Sequence, residues 1–555
     1  MARINDLPNN VLRLILYYAA ATPANRLSEW KSKLPLVAVC RRWSKLAQNL
    51  VFYRVYVELT TSPWSSILPF AYSNTRPFWT SNAELLISRG CILAASCLTI
   101  ELADRITPKC LRSIALEILR LDRVDWQRIN ALTITGPSKV HEYSKYIAET
   151  EEASDEDIAH TMKYFAQNLR NVVGLNLTYH RLAYPESGSR GDYICRRFSS
   201  VYGGQLQIHR VRYSIPLGFV DFSRNIKVLE LTLDSTAARV LPSICGETLK
   251  VLKLYGVPTN FAWHHFRYDI FDQPIVFHQL TILYLFFRGE LKALTEGEVQ
   301  DKVVSGAHNC DQLSFPALGE LAISNCTPNC DLLYADLPFP ALEKVKFQGF
   351  INGTRHYSRL KLAWVGDFEV TIFPADWSDK TDIYRIANHL FANIRIGRTA
   401  YLRILDHKFI LDPDLMRWVN LTHLSIQAVD YTAICKAIGR LPNLTELVIR
   451  YLEFGDMDID RFSADSLLFN SVDPMLTWGK KLAMLAICSF YITPSFAVCI
   501  GGIQDLILHT DTLKKLFVPE SKRQLVAAFI DDYKDRCPHL ADIQLLDEWT
   551  THFNK

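Results

Sequence analysis

The sequence predicts an α/β protein in which a curved parallel sheet carries helices on its outer side and follows a small helical module. Two observations predict the sheet. An apolar motif, L-x-x-L-x-L with Ile, Val or Phe allowed, recurs from about residue 130 to the C-terminus. Between its copies, apolar residues recur at helical spacing. A third observation, two short apolar segments within the first 55 residues, predicts the helical module.

The helical module begins at Leu7 and Pro8, which open the run LPNNVLRLIL. Proline suits the first turn of a helix because the N–H that it lacks needs no partner there. The apolar residues that follow at helical spacing are Val11, Leu12, Ile15 and Leu16. The second segment, VAVCRRWSKLA at 37–47, repeats this spacing. A module this small cannot bury a core alone, so its apolar surface must pack on the rest of the chain or on a partner.

Residues 56–121 lack the repeated motif but contain scattered large apolar residues, among them Trp64 and Trp79. We interpret this segment as a connector or N-terminal cap that joins the helical module to the repeats.

The repeats have unequal lengths. Leu231 and Leu254 end copies that are 23 residues apart, whereas Leu285 and Ile323 are 38 residues apart. This pattern favours a solenoid with insertions. Clear copies end at Ile134, Leu177, Leu231, Leu254, Leu285, Ile323, Phe347, Ile426, Ile449, Ile487, Val518 and Leu545, and weaker copies end at Ile208, Val370 and Ile404. In each L-x-L the two apolar side chains point to one side of a strand, so neighbouring units must stack to bury them.

Helices are predicted between several strands. The segments 154–169, 431–441 and 525–533 each place apolar residues on one helical face. In the last of them we expect Leu525, Ala528, Phe529 and Tyr533 to form that face.

The N-terminal pattern resembles the F-box, a helical module that docks a protein onto a Skp-type adaptor. The matching residues are the Leu7-Pro8 opening, Ile15 and the run Cys40-Arg41-Arg42-Trp43. The repeats resemble a leucine-rich-repeat array. The resemblance implies three parts: an F-box-like module (1–55), the connector or cap (56–121) and a divergent leucine-rich-repeat solenoid (122–555).

The resemblance also implies a function. A protein of this architecture is a non-catalytic substrate-recognition subunit of a Skp/cullin/F-box ubiquitin ligase, with cullin and RING subunits reached through the adaptor. The residues implied to bind the adaptor are Leu7, Pro8, Leu12, Ile15, Val39, Cys40 and Trp43. A second interpretation is a leucine-rich-repeat scaffold that recruits no ligase. In that case the N-terminal helices would be buried against the repeats.

Composition narrows the classes of partner. The formal net charge is +3 and 49% of the residues are hydrophobic, so we expect neither nucleic acid nor membrane as a partner. The N-terminus shows no signal-peptide pattern, and the 13 cysteines are scattered without a framework. We therefore expect reduced thiols and a cytoplasmic or nuclear protein.

Motifs of catalysis and of metal binding are missing from the sequence. It contains no phosphate-binding loop, no H-E-x-x-H and no G-x-S-x-G. Cys326 and Cys330 have no companion pair at zinc-site spacing, and packing explains the adjacent His264 and His265 better than metal ligation does. We expect no cofactor, no metal and no enzymatic activity.

The best candidates for binding a protein substrate lie between the buried leucines. These intervening positions line the inner, concave face of a leucine-rich-repeat array and here include Ser425 and Arg450. The candidates are Lys253, Tyr255, Tyr284 and Phe286, because exposed aromatic residues are common interface anchors.

Overall fold

The structure is a computed structural model, and it divides into two compact units, residues 1–256 with 268–275 and residues 257–267 with 276–555. It describes residues 8, 9, 11, 12, 15, 16, 43, 46, 53–60, 78–88, 95–102, 119, 124–135, 155–178, 197–215, 225–233, 247–257, 276–287, 315–326, 339–351, 365–374, 396–404, 419–431, 434–435, 438, 441–453, 481–490 and 496–546.

The described residues are dominated by β-strands. In the first unit these are β1 (Arg54–Thr60), β2 (Phe78–Ser81), β3 (Cys97–Leu102), β4 (Ala131–Thr135), β5 (Gly174–Thr178), β6 (Ile208–Ile215), β7 (Val228–Leu233) and β8 (Val251–Val257). In the second unit they are β9 (Ile282–Phe287), β10 (Glu320–Cys326), β11 (Lys344–Ile351), β12 (Val365–Pro374), β13 (Ile396–Ile404), β14 (His423–Asp430), β15 (Glu446–Glu453), β16 (Met484–Phe490), β17 (Lys515–Phe517) and β18 (Gln544–Leu545).

Helices are fewer. The α-helices with described bounds are α1 (Ala83–Ser88), α2 (Asp155–Asn168), α3 (Phe496–Leu508) and α4 (Glu520–Tyr533). Short 3-10 helices occur at Trp126–Arg128, Gly203–Gln205 and Pro538–Asp542. Within the described ranges, every helix is too short or too polar to span a lipid bilayer.

The first unit is a parallel ladder with one antiparallel strand. From β3 to β8 each strand pairs in parallel with the next, and β1 pairs in parallel with β3. β2 pairs antiparallel with β1. Leu231 lies opposite Leu254, which confirms that these neighbouring repeats pair directly. Gly256, near the end of β8, has a φ of 65°, a left-handed conformation that favours glycine.

The second unit is also a ladder of parallel strands. Each strand from β9 to β18 pairs in parallel with the next. The clear motif endpoints align across neighbouring strands, as Leu285 with Ile323 and Ile426 with Ile449. Parallel strands joined by connections of variable length are what the repeat pattern predicts.

Three motif endpoints are misplaced by the sequence pattern. The residue opposite Leu177 is Val211, not the predicted Ile208, and the residue opposite Val370 is Leu402, not Ile404. In the last repeat Leu545 lies opposite Leu516, two positions earlier in the strand than the motif indicates. The first two are the weak copies, in which several aliphatic residues at alternate positions make the register ambiguous.

Burial follows the alternation of side chains along the strands. Leu252 and Leu254 are buried, as are Leu283 and Leu285, whereas the residues between them are only partly covered. The leucines of successive strands therefore form the core rows of each unit. Removing one such side chain from water contributes about 2 kcal/mol.

Turns that precede the strands of the second unit add a second buried row. They read FHQL at 277–280, FPAL at 315–318, FPAL at 339–342 and LPNL at 441–444, and their first and last residues are buried. In each turn the last residue's N–H donates to the first residue's carbonyl, as from Leu318 to Phe315. Phe315 stacks on Phe277 with ring centroids 5.2 Å apart and meets Phe339 edge-on at 5.8 Å.

The buried face of α4, near the C-terminus, differs from the predicted one. Val526, Phe529 and Ile530 are the buried residues of α4, while Leu525 and Ala528 are exposed. The face is therefore rotated toward Val526. In α2, by contrast, Met162 and Phe165 are buried as the periodicity predicts.

Residues of the segment 56–121 contribute strands to the ladder. β1 and β3 pair in parallel, so strand pairing among the described residues begins at Arg54. β2 pairs antiparallel with β1. The division into an F-box-like module at 1–55, a connector or cap at 56–121 and a solenoid at 122–555 stays a prediction.

Candidate binding surface on the strand faces

Each unit has a strand face made by the residues that alternate with the buried leucines. We call it the polar strand face and define it by Arg210, Glu230 and Lys253 in the first unit and by Glu320, Lys346 and Glu369 in the second. The registered pairing places Arg210, Glu230 and Lys253 side by side on β6–β8 and Lys346 beside Glu369. Glu320 lies diagonal to Lys346, because the residue opposite Glu320 is Lys344. Its accessibility varies strongly along each ladder.

In the first unit the polar strand face is accessible to solvent on β6–β8. Ile208 is 37% exposed, and Val228 and Val251 opposite it are partly exposed. In the neighbouring row Arg210 Nε lies 3.2 Å from Glu230 Oε1, and Lys253 Nζ lies 3.1 Å from the same oxygen. The Glu230 side chain is 4% exposed, whereas those of Arg210 and Lys253 are 44% and 27% exposed.

The other end of the first unit is closed. Thr99, Thr133 and Tyr56 lie opposite one another on β3, β4 and β1, at positions equivalent to Glu230, and all three are buried. Cys97 is buried beside them, and burial raises the pKa of its thiol, although Arg54 opposes that shift. A partner can therefore reach the polar strand face of this unit only toward β8.

The second unit carries a charge ladder over β10–β12. Lys346 Nζ lies 3.4 Å from Glu369 Oε2 and 4.0 Å from Glu320 Oε1, and the Tyr284 hydroxyl donates to Glu320 Oε1 at 2.7 Å. Lys344 Nζ lies 3.9 Å from Glu320 Oε1, so two lysines compensate the two carboxylates. Beside them Phe286 is 41% exposed, the most exposed aromatic side chain among the described residues.

Farther along the second unit the same face is covered. Ser425, Val448 and Ala486 lie opposite one another on β14, β15 and β16 and are at most 1% exposed. Ser425, which the repeat pattern places on the inner face, is therefore enclosed there. Arg450, one strand position beyond Ile449, remains partly exposed.

The predicted substrate-binding residues fall in both units. Lys253 and Tyr255 belong to the first unit, and Tyr284 and Phe286 to the second. All four point away from the buried leucines and are at least partly exposed, as alternation predicts. Their role in binding stays a prediction.

The predicted adaptor-binding residues are split by burial. Pro8 is exposed and Ile15 is 37% exposed, whereas Leu12 and Trp43 are buried, so the latter two do not join an exposed patch. Leu7, Val39 and Cys40 lie outside the described residues. Val11, at 38% exposure, joins Pro8 and Ile15 on the exposed side. Its spacing of three residues from Pro8 and four from Ile15 was the signal that could have found it.

Two polar clusters resemble catalytic groupings; the first is buried, and in the second only His509 is partly exposed. In the first unit Ser199 Oγ lies 3.0 Å from His209 Nε2, both residues are buried, and burial lowers the pKa of His209 to about 4. In the second unit the Tyr431 hydroxyl donates to Asp505, whose other carboxylate oxygen lies 3.1 Å from His509 Nδ1.

The second cluster has shifted pKa values. Hydrogen bonding to the Asp505 carboxylate raises the pKa of His509 against the opposing effect of burial, and burial raises the pKa of Tyr431. Tyr431 and Asp505 are both buried, so their hydrogen bond joins the helical residue Tyr431 to α3.

Metal-binding geometry is absent from the parts of the chain that the structure describes, where no three His, Cys, Asp or Glu side chains come together. Cys330, His264 and His265 lie outside the described residues. Cys97, Cys435, Cys488 and Cys537 are free thiols.

Comparisons with known proteins leave the family open. No family model and no curated protein matches the chain. Among solved structures, a leucine-rich-repeat protein of Leptospira interrogans aligns over 82% of this chain and 91% of its own, with 12% identity and a TM-score of 0.28. A TM-score this low supports no conclusion about this chain. The support for its fold is the strand pairing. The parallel ladders and aligned leucine rows are consistent with a leucine-rich-repeat solenoid.

Proposed function

We propose that this chain is a substrate-recognition subunit of a Skp/cullin/F-box-type ubiquitin ligase. Its N-terminal helix docks onto a Skp-type adaptor, and its repeats hold a protein substrate. The transfer of ubiquitin belongs to the other subunits.

The observation that carries the proposal is the two-sided N-terminal helix. Leu12 and Leu16 are fully buried, whereas Val11 and Ile15 on the same helix are 38% and 37% exposed. With Pro8 they form an exposed apolar stripe at helical spacing. An apolar stripe of this kind marks a helix-binding partner, and the F-box resemblance names that partner as a Skp-type adaptor.

Co-purification of the full chain with a Skp-type adaptor tests the proposal. We expect Val11→Lys to abolish retention of the adaptor, because it places a charge in the apolar contact. Val201→Lys is the matched control, since Val201 is also a helical valine of the first unit and is 40% exposed. Equal retention by wild type and both variants, or none by any of them, contradicts adaptor docking.

A scaffold that recruits no ligase is the second candidate. The burial of Trp43 and Leu12 favours it, because buried side chains are not available to a partner. The same experiment separates the two functions. A scaffold leaves the adaptor unbound and still captures proteins through its repeats.

A further inference from the structure

Three β-branched residues form a registered aliphatic row on the first unit. Ile208 lies opposite Val228, and Val228 lies opposite Val251. These positions alternate with the core leucines, so their side chains lie on the polar strand face. Ile208 is 37% exposed, and the two valines are partly exposed. Adjacent strands are about 4.8 Å apart, so the row spans roughly 10 Å, enough for one or two aliphatic side chains of a partner.

A charged row runs beside the aliphatic one. Arg210, Glu230 and Lys253 lie opposite one another, two residues farther along the same strands. Glu230 is at the bottom of this row, with its side chain 4% exposed between the two cations. Arg210 and Lys253 reach outward, so the cluster has a net charge of +1 and presents its positive groups to solvent. The buried carboxylate fixes both cations in place before any partner arrives.

We propose that β6–β8 bind a protein segment that carries an aliphatic side chain close to an aspartate or glutamate. The inference rests on the proposed function, in which the repeats recognise a protein. The aliphatic side chain packs on Ile208, Val228 and Val251. The carboxylate pairs with Arg210, whose guanidinium geometry suits carboxylates. The two rows are roughly 7 Å apart, which places the two partner groups within a few residues of each other.

The surroundings favour this occupant over others. A lysine or arginine of a partner would meet Arg210 and Lys253 at close range and be repelled. The charge ladder of the second unit offers no comparable preference, because Lys346 is shared between Glu320 and Glu369. Toward β3 the same face of the first unit is closed by the buried Thr99 and Thr133.

Selection from a random peptide display library on the full-length protein tests the inference. We expect enriched peptides in which an aliphatic residue neighbours an acidic one. Synthetic copies of those peptides should bind Ile208→Thr and Arg210→Ala about tenfold more weakly than wild type, the loss typical of one anchor contact.

Two matched control variants change residues outside β6–β8. Val201→Thr changes an aliphatic residue that is 40% exposed, close to the 37% of Ile208. Arg128→Ala removes an exposed arginine whose Nε lies 3.3 Å from Asp125. Both controls should bind the peptides as wild type does, and together with Ile208→Thr they should keep the wild-type unfolding midpoint. Arg210→Ala leaves the buried Glu230 carboxylate paired with Lys253 alone, so its midpoint should fall while its circular dichroism at the assay temperature stays that of the wild type.

Each other result overturns the inference in a distinguishable way. If the enriched peptides lack acidic residues, or if no peptide is enriched over an unrelated protein, the proposed aliphatic and acidic ligand is wrong. Peptides that bind Ile208→Thr and Arg210→Ala at full strength place recognition elsewhere on the chain and leave the proposed function standing. A synthetic peptide in which phosphoserine replaces the acidic residue is also tested. If it binds tenfold more tightly, the β6–β8 surface is assigned to phosphorylated segments instead. Loss of adaptor retention, measured separately, is a failure of the proposed function alone.

Discussion

The buried histidine His209 shows what it costs to remove a titratable side chain from water. Its ring is buried beside Ser199, and its pKa is lowered to about 4 by the loss of hydration. An unfolded histidine has a pKa near about 6.5. The unfolded chain therefore binds this proton at a pH where the folded chain does not. The contribution to stability is complete above about pH 6.5 and is lost as the pH falls toward about 4.

Replacement of His209 by glutamine tests that linkage. Between about pH 7.5 and about pH 5 we expect the wild type to lose about 2 kcal/mol of unfolding free energy through this residue, and His209→Gln to lack that loss. The amide can keep a hydrogen bond to Ser199. The measurement is urea unfolding at both pH values, with His160→Gln as the exposed-histidine control in the same unit. Identical pH dependence in wild type and His209→Gln would show that the ring is not held neutral.

At the scale of elements, the turns before the strands add a buried row of side chains to the core of the second unit. Phe315 is buried between Phe277 and Phe339 and joins three successive turns through ring contacts. Because the rings pass from one repeat to the next, each stabilises the stacking of two neighbours.

Truncation of this ring has a matched comparison on the same unit. Phe315→Ala should lower the unfolding free energy by about 3 to 5 kcal/mol, since it leaves a cavity between the turns. Phe286→Ala, at a side chain that is 41% exposed, should change it by no more than about 0.5 kcal/mol. Denaturant unfolding of both variants provides the check. Similar losses for both would mean that the phenylalanine row does not act as core.

The elements also show how far the sequence alone could lead. Leu231 and Leu254 were identified as partners because alternation and spacing are local properties of the chain. The burial of Ser425 was not predictable, because its cover depends on chain distant in sequence. The buried charge of Glu230 was equally hidden. Only the strand register places Arg210 and Lys253 on either side of it. The F-x-x-L segments recur in the sequence, but only the structure shows that their phenylalanine rings contact one another across repeats.

At the scale of the whole molecule, the structure predicts that stability is local. Strands pair with their immediate neighbours, and the chain divides into two compact units. In such an array a core defect mainly affects the repeats that touch it.

Hydrogen exchange followed by mass spectrometry can measure that locality. Leu447→Ala removes a fully buried side chain of β15 and should accelerate exchange in β14–β16 while β4–β6 keep the wild-type rates. Leu175→Ala, at a fully buried position of β5, should do the reverse. Acceleration throughout both units after either substitution would show that the chain unfolds as one cooperative body.

The antiparallel strand at the start of the first unit affects how copies of this protein behave when concentrated. A parallel ladder can in principle be lengthened by any extended chain that adds to its outermost strand. Here the outermost pairing is that of β2, four residues long, with β1, and β2 pairs with no other strand in the described part of the chain. A four-residue strand offers few hydrogen-bonding groups to an added strand. In addition, β2 runs antiparallel to the strands of the repeats. Among the described residues the ladder therefore starts with a short antiparallel pairing, which disfavours head-to-tail fibre growth from that edge.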